Sequence, residues 1–266
     1  MKSVAVPKLS ILMPVKDEGV NLPVILKILA AVVEVPHEIL VVHDTPEDTT
    51  VPVVRLLQTR HPAIRLVHNT LGRGVANAIR AGVAEAAGDY VLIFAVDDTG
   101  PALAIDEMLA LMDAGCDLVS CTRYARGGRR LGGSLAGHAL SRLANWLFRR
   151  ASGCVLTDAT TGIKMIRRSA FDRLTLDQAS VGWVVAFELA IKAQLAGLRL
   201  GEVPIISIDR LFGGTSTFAL GPWILGYCRM FLWALPRLRA TPHAQRQPVT
   251  VAGAPARLLE SADVPA

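Results

Sequence analysis

From Leu9 to Thr122 the chain alternates short apolar runs with longer stretches of helical periodicity. Leu9 to Val15 is a short apolar strand that stops at Lys16-Asp17-Glu18-Gly19. A helix is expected next, with Asn21 as N-cap, Pro23 in the first turn, and Val24, Ile25, Ile28 and Leu29 on its buried face. Glu38 to Val42 reads as a second strand that opens into the acidic loop His43 to Thr50, followed by a helix over Val51 to Thr59. Ile64 to His68 is a third strand. Asn69 to Gly74 is a glycine-containing loop, and Val75 to Ala87 an Ala-rich helix closed by Gly88 at C′. Tyr90 to Val96 is apolar on both faces and reads as a fully buried strand. A helix from Ala104 to Ala114 and a strand over Asp117 to Thr122 complete the alternation. Strand and helix in this order predict an α/β fold with a doubly wound, mostly parallel sheet.

After Arg123 the texture changes. Tyr124 to Gly137 is rich in Gly and Arg and too long for a plain connector. Leu140 to Arg150 is helical, with Leu140, Leu143, Ala144 and Leu147 on one stripe. Asp158 to Gly162 is a polar turn before the strand Ile163 to Ile166. Trp183 to Ala196 is a helix with one acid, Glu188, among apolar neighbours, and Val203 to Ile208 is a strand that exits through Asp209 and Arg210. Phe218 to Leu235 is a C-terminal amphipathic helix whose modest charge favours packing on the domain over lying in a membrane interface. Residues 1–238 are expected to form one domain, and 239–266, without periodicity, a disordered tail.

Composition supports a buried parallel sheet: 52% of residues are hydrophobic, and mean hydropathy is +0.40. The 28 Lys and Arg against 23 Asp and Glu leave a charge of +5. The Arg clusters at 123–130, 149–150 and 167–168 point to a phosphate-bearing partner or an anionic membrane surface, not to nucleic acid. Cys116, Cys121, Cys154 and Cys228 lack zinc-ligand spacing and read as thiols in a reducing compartment. No signal peptide is read at the N-terminus, and no stretch reaches the ~20 uninterrupted apolar residues of a membrane span. The expectation is a cytoplasmic protein, peripheral on the inner face of the membrane.

The chemistry gathers where strands end. Tyr90 to Val96 runs into Asp97 and Asp98, then Thr99-Gly100-Pro101. In open α/β sheets ligands bind beyond the carboxyl ends of the strands, and paired carboxylates there suit a hard divalent cation that holds substrate phosphates. A capping Asp beside a solvated one explains the pair equally well. The acids after the second strand likewise read as a helix cap or as a site. Neither a GxGxxG fingerprint nor a P-loop is present.

In this order the pieces resemble family 2 glycosyltransferases of the GT-A fold, and within them the dolichyl- and polyprenyl-phosphate sugar transferases. Pro14-Val15-Lys16-Asp17-Glu18 is similar to the family's Pro-x-x-Asn-Glu, and Ile39 to Thr50 to its strand ending in Val-Asp-Asp. Gly72-Arg73-Gly74-Val75-Ala76 is similar to Gly-Lys-Gly-x-Ala, and Cys121-Thr122-Arg123-Tyr124 to Ser-Arg-Tyr. Ser141 to Asn145 resembles Ser-Arg-x-x-Asn, Asp158 to Gly162 resembles Asp-x-x-Ser-Gly, and the run closes with Glu202-Val203-Pro204 and Arg210-x-x-Gly-Gly-Thr-Ser. The resemblance implies a metal-dependent, inverting transfer from a nucleotide-diphospho-sugar to an acceptor, here a polyprenyl phosphate. By the same resemblance Pro14, Lys16, Glu18 and Asp44 meet the nucleotide. Gly72, Arg73 and Gly74 let backbone and a cation approach the diphosphate. Asp97 and Asp98 hold Mg2+ or Mn2+, and Arg123, Ser141, Arg210 and Ser216 meet phosphate.

Departures from the family pattern keep alternatives open. The metal motif Asp-x-Asp has Ala95 at its first position, the Val-Asp-Asp pair is His43-Asp44, and Gly137 stands where an Arg is usual in the lipid-phosphate group. A degenerate module that binds nucleotide-sugar without turnover therefore remains, as does transfer to a hydroxyl. A hydroxyl acceptor needs a base, for which Asp158 is first choice and Glu188 second; a turn-stabilising Asp and a Glu buried against an Arg are the plain readings of those two. A nucleotidyltransferase shares the sheet type but needs a Gly- and Lys/Arg-rich loop after the first strand, where only Lys16 is found.

Overall fold

A computed structural model describes residues 6–132, 135–177, 180–208, 220–241 and 249–252. The alternation to Thr122 folds as β1 (Leu9–Pro14), α1 (Leu22–Val32), β2 (His37–His43), α2 (Thr50–Gln58), β3 (Ile64–His68), α3 (Val75–Glu85), β4 (Tyr90–Ile93), a 3₁₀ turn (Gly100–Ala104), α4 (Ile105–Asp113) and β5 (Leu118–Thr122). The second half adds β6 (Arg129–Leu131), α5 (Leu135–Ser152), β7 (Lys164–Arg167), α6 (Arg168–Phe171), α7 (Val184–Leu195), β8 (Leu200–Pro204), β9 (Ile206–Ile208), α8 (Leu220–Ala240) and β10 (Thr250–Val251). The main sheet is eight-stranded, ordered β10-β8-β5-β7-β4-β1-β2-β3. Only β7 runs antiparallel, between β4 and β5. The α/β, mostly parallel sheet expected from the pattern is present.

Apolar side chains leave the sheet alternately on its two sides. Ile11 and Met13 of β1 join one core with Ile25 and Leu29 of α1 and Met108 of α4. Leu12 joins the other with Ile79 of α3, Ile191 of α7 and Leu238 of α8. Burial on both faces is why the strands read as unbroken apolar runs.

Several expectations need correction. Asn21 makes no capping bond and instead donates Nδ2–H to Glu18 Oε2 at 2.7 Å, while α1 buries Leu22, Ile25, Leu26 and Leu29. Gly88 is not the C′ residue of α3, whose cap is Ala86 in extended backbone. It is required because a Cβ there would lie 2.7 Å from the Ser10 nitrogen. The central strand ends at Ile93, not Val96: Phe94 N–H still bonds Leu12 O at 2.9 Å, but the chain then turns toward Asp97. Val203 to Ile208 is broken at Ile205, whose carbonyl accepts from Arg129 N, so β9 leaves the main sheet and pairs with β6. After Arg237 there is regular structure among the described residues, 238–241 and 249–252, and the remainder of the expected tail lies outside the described residues. Helix α8 runs to Ala240, and Thr250–Val251 adds a parallel strand beside β8, with Ala252 N–H bonded to Glu202 O at 3.0 Å.

In α5 the stripe of Leu140, Leu143, Ala144 and Leu147 faces outward, with Leu140 66% and Leu143 51% exposed. Asn145, Phe148 and Ser152 are buried instead. The Phe148 ring sits 4.9 Å from Phe187 and 4.8 Å from Phe231, both edge-on. Asn145 turns inward onto Thr160 Oγ1 of the following turn and Ser141 O of its own helix, and Ser152 donates to Phe148 O and accepts Cys154 N–H. Helix α8 packs on the domain as expected, burying Ala234 and Leu238.

Candidate active site

β1, β2 and β4 lie side by side and parallel, so the loops after Pro14, His43 and Ile93 emerge along one edge of the sheet. The loops that carry Asp44 and Asp97 thus follow the two strands that flank β1, which lie about 10 Å apart. The loop after β1 is pinned to the loop after β2. Asp17, at φ 59°, donates its N–H to the Asp48 carboxylate at 3.2 Å, and Glu18 N–H bonds Thr50 Oγ1 at 2.9 Å. Asp48 also caps α2 through Thr50 N–H at 2.8 Å. The cap expected of this acidic loop therefore belongs to Asp48 and not to Asp44. Lys16 is exposed and Pro14 half-buried at the strand end.

Asp44 organises the glycine loop. Its Oδ1 accepts from Asn69 Nδ2 at 2.7 Å and its Oδ2 from Gly74 N–H at 2.8 Å. Asn69, buried and unflagged by the sequence reading, also bonds Gly72 O at 2.7 Å and receives Leu71 N–H. Gly72 and Gly74 have φ of 102° and 121°, a region closed to side chains, so these positions require glycine. Arg73 between them is exposed. The imidazole of His43 stacks on His68 at 5.1 Å and engages Thr45 O through Nδ1.

Beyond β4 the two carboxylates part company. Asp98 accepts Ser207 Oγ–H at 2.6 Å on Oδ2 and Ile208 N–H at 3.1 Å on Oδ1. Burial, helped by the charge of Asp97, pushes its carboxyl up against the pull of those bonds. Gly100 follows because a Cβ there would lie 1.8 Å from Ile206 O. Asp98 thus clasps the loop to β9, a role that competes with the metal-binding one expected for it. Asp97 stands half-buried at the turn. Among the described residues no group of three or more His, Cys, Asp or Glu is arranged to hold a metal ion.

On the other side, the end of β5 meets α5 and the turn after it. Arg123 forks onto Asp158, with Nε to Oδ2 at 2.7 Å and Nη2 to Oδ1 at 3.0 Å. Thr160 bridges the pair to Asn145 on α5, and Tyr124 O–H donates to Ser141 Oγ at 2.7 Å. Burial alone would raise the Asp158 carboxyl, yet the Arg123 charge and its bonds outweigh burial and hold it below the usual range. Glu188, the other acid considered as a base, accepts from Asp177 N–H and Ser180 Oγ at 2.6 Å each and pairs with Lys192. Arg210 and Ser216 lie outside the described residues.

Of two further buried charges, Lys164 was not singled out in the sequence and Glu202 was read only as part of the Glu202-Val203-Pro204 motif. Lys164 reaches Ser120 Oγ at 2.9 Å and Thr161 O at 2.7 Å, and burial lowers its amine to about 8 against the raising influence of Asp158. Glu202 accepts from Thr157 N–H at 2.7 Å and Asp158 N–H at 3.3 Å, and burial raises its carboxyl. A lone Lys in an apolar run and a lone Glu in another were the available signals. Together these groups fix the turn that presents Asp158 to Arg123.

The family model described as glycosyl transferase family 2 matches residues 10–175. The chain belongs to this family. Within it, this family 2 chain is 24% identical over 213 residues to a dolichol-phosphate mannosyltransferase of Pyrococcus furiosus, covering 74% of this chain and 55% of the relative. It is 28% identical over 208 residues to a polyprenol monophosphomannose synthase of Mycolicibacterium smegmatis, covering 76% and 78%. The chain thus spans about half the length of the first of these relatives. Among solved structures it resembles glucosyl-3-phosphoglycerate synthase from Mycobacterium tuberculosis in complex with phosphoglyceric acid, at TM-score 0.65 and 17% identity, over 96% of this chain and 92% of that one. The same enzyme with Mn2+, uridine-diphosphate-glucose and phosphoglyceric acid gives 0.64 at 17% identity, with the same coverage. At that identity the likeness is one of fold, and the fold is that of GT-A glycosyltransferases.

Proposed function

We propose that this family 2 chain moves a sugar from a nucleotide-diphospho-sugar to a polyprenyl phosphate at a membrane surface, inverting the anomeric carbon. The observation that carries the acceptor class is the commitment of Asp158 to Arg123. A hydroxyl acceptor requires a base within hydrogen-bond reach, and both acids considered for that task are engaged, Glu188 by Lys192 and Ser180. A phosphate monoester is already anionic and attacks without one. The names of the two mannose-transferring relatives support the same class.

Asp44 holds the Gly72–Gly74 loop in the shape that admits a nucleotide, and Arg73 is exposed beside it for the diphosphate. Arg123 spends Nε and Nη2 on Asp158 and Thr160, and its Nη1 makes no hydrogen bond to the described residues, which leaves donors for an acceptor phosphate. With Asp98 engaged by Ser207, the donor set fits a hard cation held by Asp97 together with substrate phosphates and water, as Mg2+ or Mn2+ accepts. When bound, such a cation supplies neutralising charge to the departing diphosphate.

The test incubates the protein with UDP-, GDP- and dTDP-sugars and Mn2+ or Mg2+, offering either a polyprenyl phosphate or the matching free alcohol, and identifies products by mass spectrometry. A sugar phosphoester from the phosphate alone, lost with EDTA and in Asp97→Asn, is expected. Transfer to the alcohol would overturn the acceptor class, and donor binding without any product would favour the degenerate module.

A further inference from the structure

Helix α3 starts without a side-chain cap of its own. Its N-cap residue is Gly74, and Asn77 stands three positions on. A polar side chain at that place ordinarily reaches back to the N-cap N–H, one of the donors that a helix start leaves unpaired. Here Asp44 has taken that N–H, at 2.8 Å on Oδ2. Asn77 is 8% exposed, and its Oδ1 is buried with no hydrogen-bond partner among the described residues. Buried polar atoms are nearly always paired, so this oxygen calls for a reason. The Asn77 side chain lies against the glycine loop, since a Cβ on Gly72 would come within 3.4 Å of its Nδ2. Gly74 holds φ 121° with nothing within 4 Å of where a Cβ would stand, so the backbone angle and not packing demands glycine there. Glycine takes a negative φ just as readily.

We infer that Gly74 N–H is handed from Asp44 to Asn77 when a ligand draws on Asp44, which makes Asn77 a positioning residue for the nucleoside part of the donor. Turning Gly74 to negative φ carries its N–H onto Asn77 Oδ1, the arrangement of an ordinarily capped helix. One N–H···O bond replaces another and the orphan oxygen gains a partner, so the exchange costs the fold little. Asp44 Oδ2 is then open to a hydroxyl or an imide N–H of the nucleoside. Its Oδ1 stays on Asn69, which also bonds Gly72 O, so the glycine loop keeps its place. Without Asn77, a ligand that draws Asp44 away leaves Gly74 N–H unanswered, and binding is weaker by that loss. The identity of the ligand rests on the reading that Asp44 meets the nucleotide; the two states of Gly74 do not.

The test has two arms, both on the full chain. Without ligand, Gly74→Ala favours the state in which Asn77 accepts, because alanine avoids positive φ. It should therefore lower the urea midpoint less in the native background than in Asn77→Leu, which keeps the size of the side chain and removes the acceptor. Asn77→Leu by itself should leave the midpoint unchanged or raised, since an unpaired buried oxygen is lost. In the second arm, calorimetry with UDP, GDP or dTDP and Mg2+ should show affinity about ten-fold weaker in Asn77→Leu and recovered in Asn77→Gln, whose amide oxygen reaches the same N–H. A side chain that only filled space would lose stability and affinity together. Additive effects of Gly74→Ala and Asn77→Leu, or equal nucleotide affinity in Asn77→Leu and the native chain, would each overturn the inference. If the two substitutions couple but none of these nucleotides binds, the handover stands and the nucleotide reading of Asp44 falls. If nucleotide binds all variants alike, the nucleotide reading stands and the handover falls.

Discussion

Lys164 is fully buried, and its amine titrates near 8 because burial disfavours the charged form. Its folded value lies below the unfolded one near ~10.4. Between these values the unfolded chain holds a proton that the folded chain has released, so stability rises with pH across that window. The measurement is urea unfolding of the protein and of Lys164→Met between pH 7 and 10. The difference between the two should be flat below about 8 and shift by up to roughly 3 kcal/mol in favour of the lysine protein above it. Asp158 acts with the same sign in a lower window: held low by Arg123, it contributes stability above the ordinary carboxylate range that is lost as pH falls through its folded value. The sequence marked carboxylates that follow a strand as candidates, as at Asp44 and Asp97. The clasp made by Asp98 was not readable, because its partners Ser207 and Ile208 are distant in sequence and meet it only when β9 folds back.

Helix α5 shows where element-scale reading stops. Periodicity locates a helix and its apolar stripe, and such stripes ordinarily seek the core. Here the site consumes Ser141 and Asn145, and one large ring, Phe148, anchors the inner face. The orientation is testable by paired substitutions read in urea unfolding. Leu143→Glu should change stability by less than about 0.5 kcal/mol, as exposed positions do, whereas Phe148→Ala should cost about 3–5 kcal/mol. The reverse ranking would turn the helix round. The strands of the first half, by contrast, were visible as apolar runs because both of their faces are covered. Short β6 gave no such signal, and β9 was read as the end of the strand Val203 to Ile208, although among the described residues the two pair with each other apart from the main sheet.

For the molecule as a whole, the alternation through Thr122 was enough to set the sheet's parallel half, since right-handed crossovers leave few other arrangements. The place of β7, reversed between two parallel neighbours, could not be read, because direction is decided by how the chain returns through α5 and the turn at Asp158. The C-terminal strand was hidden for another reason: Thr250–Val251 is too short to show a period. Yet those residues close the flank of β8, whose backbone would otherwise present unanswered N–H and C=O groups to any passing chain. A protein ending at Thr241 should consequently keep its far-UV spectrum but form soluble oligomers and turbid suspensions on concentration, seen by light scattering, where the intact chain stays clear. Thr250 and Val251 would then serve as the protein's safeguard against precipitation.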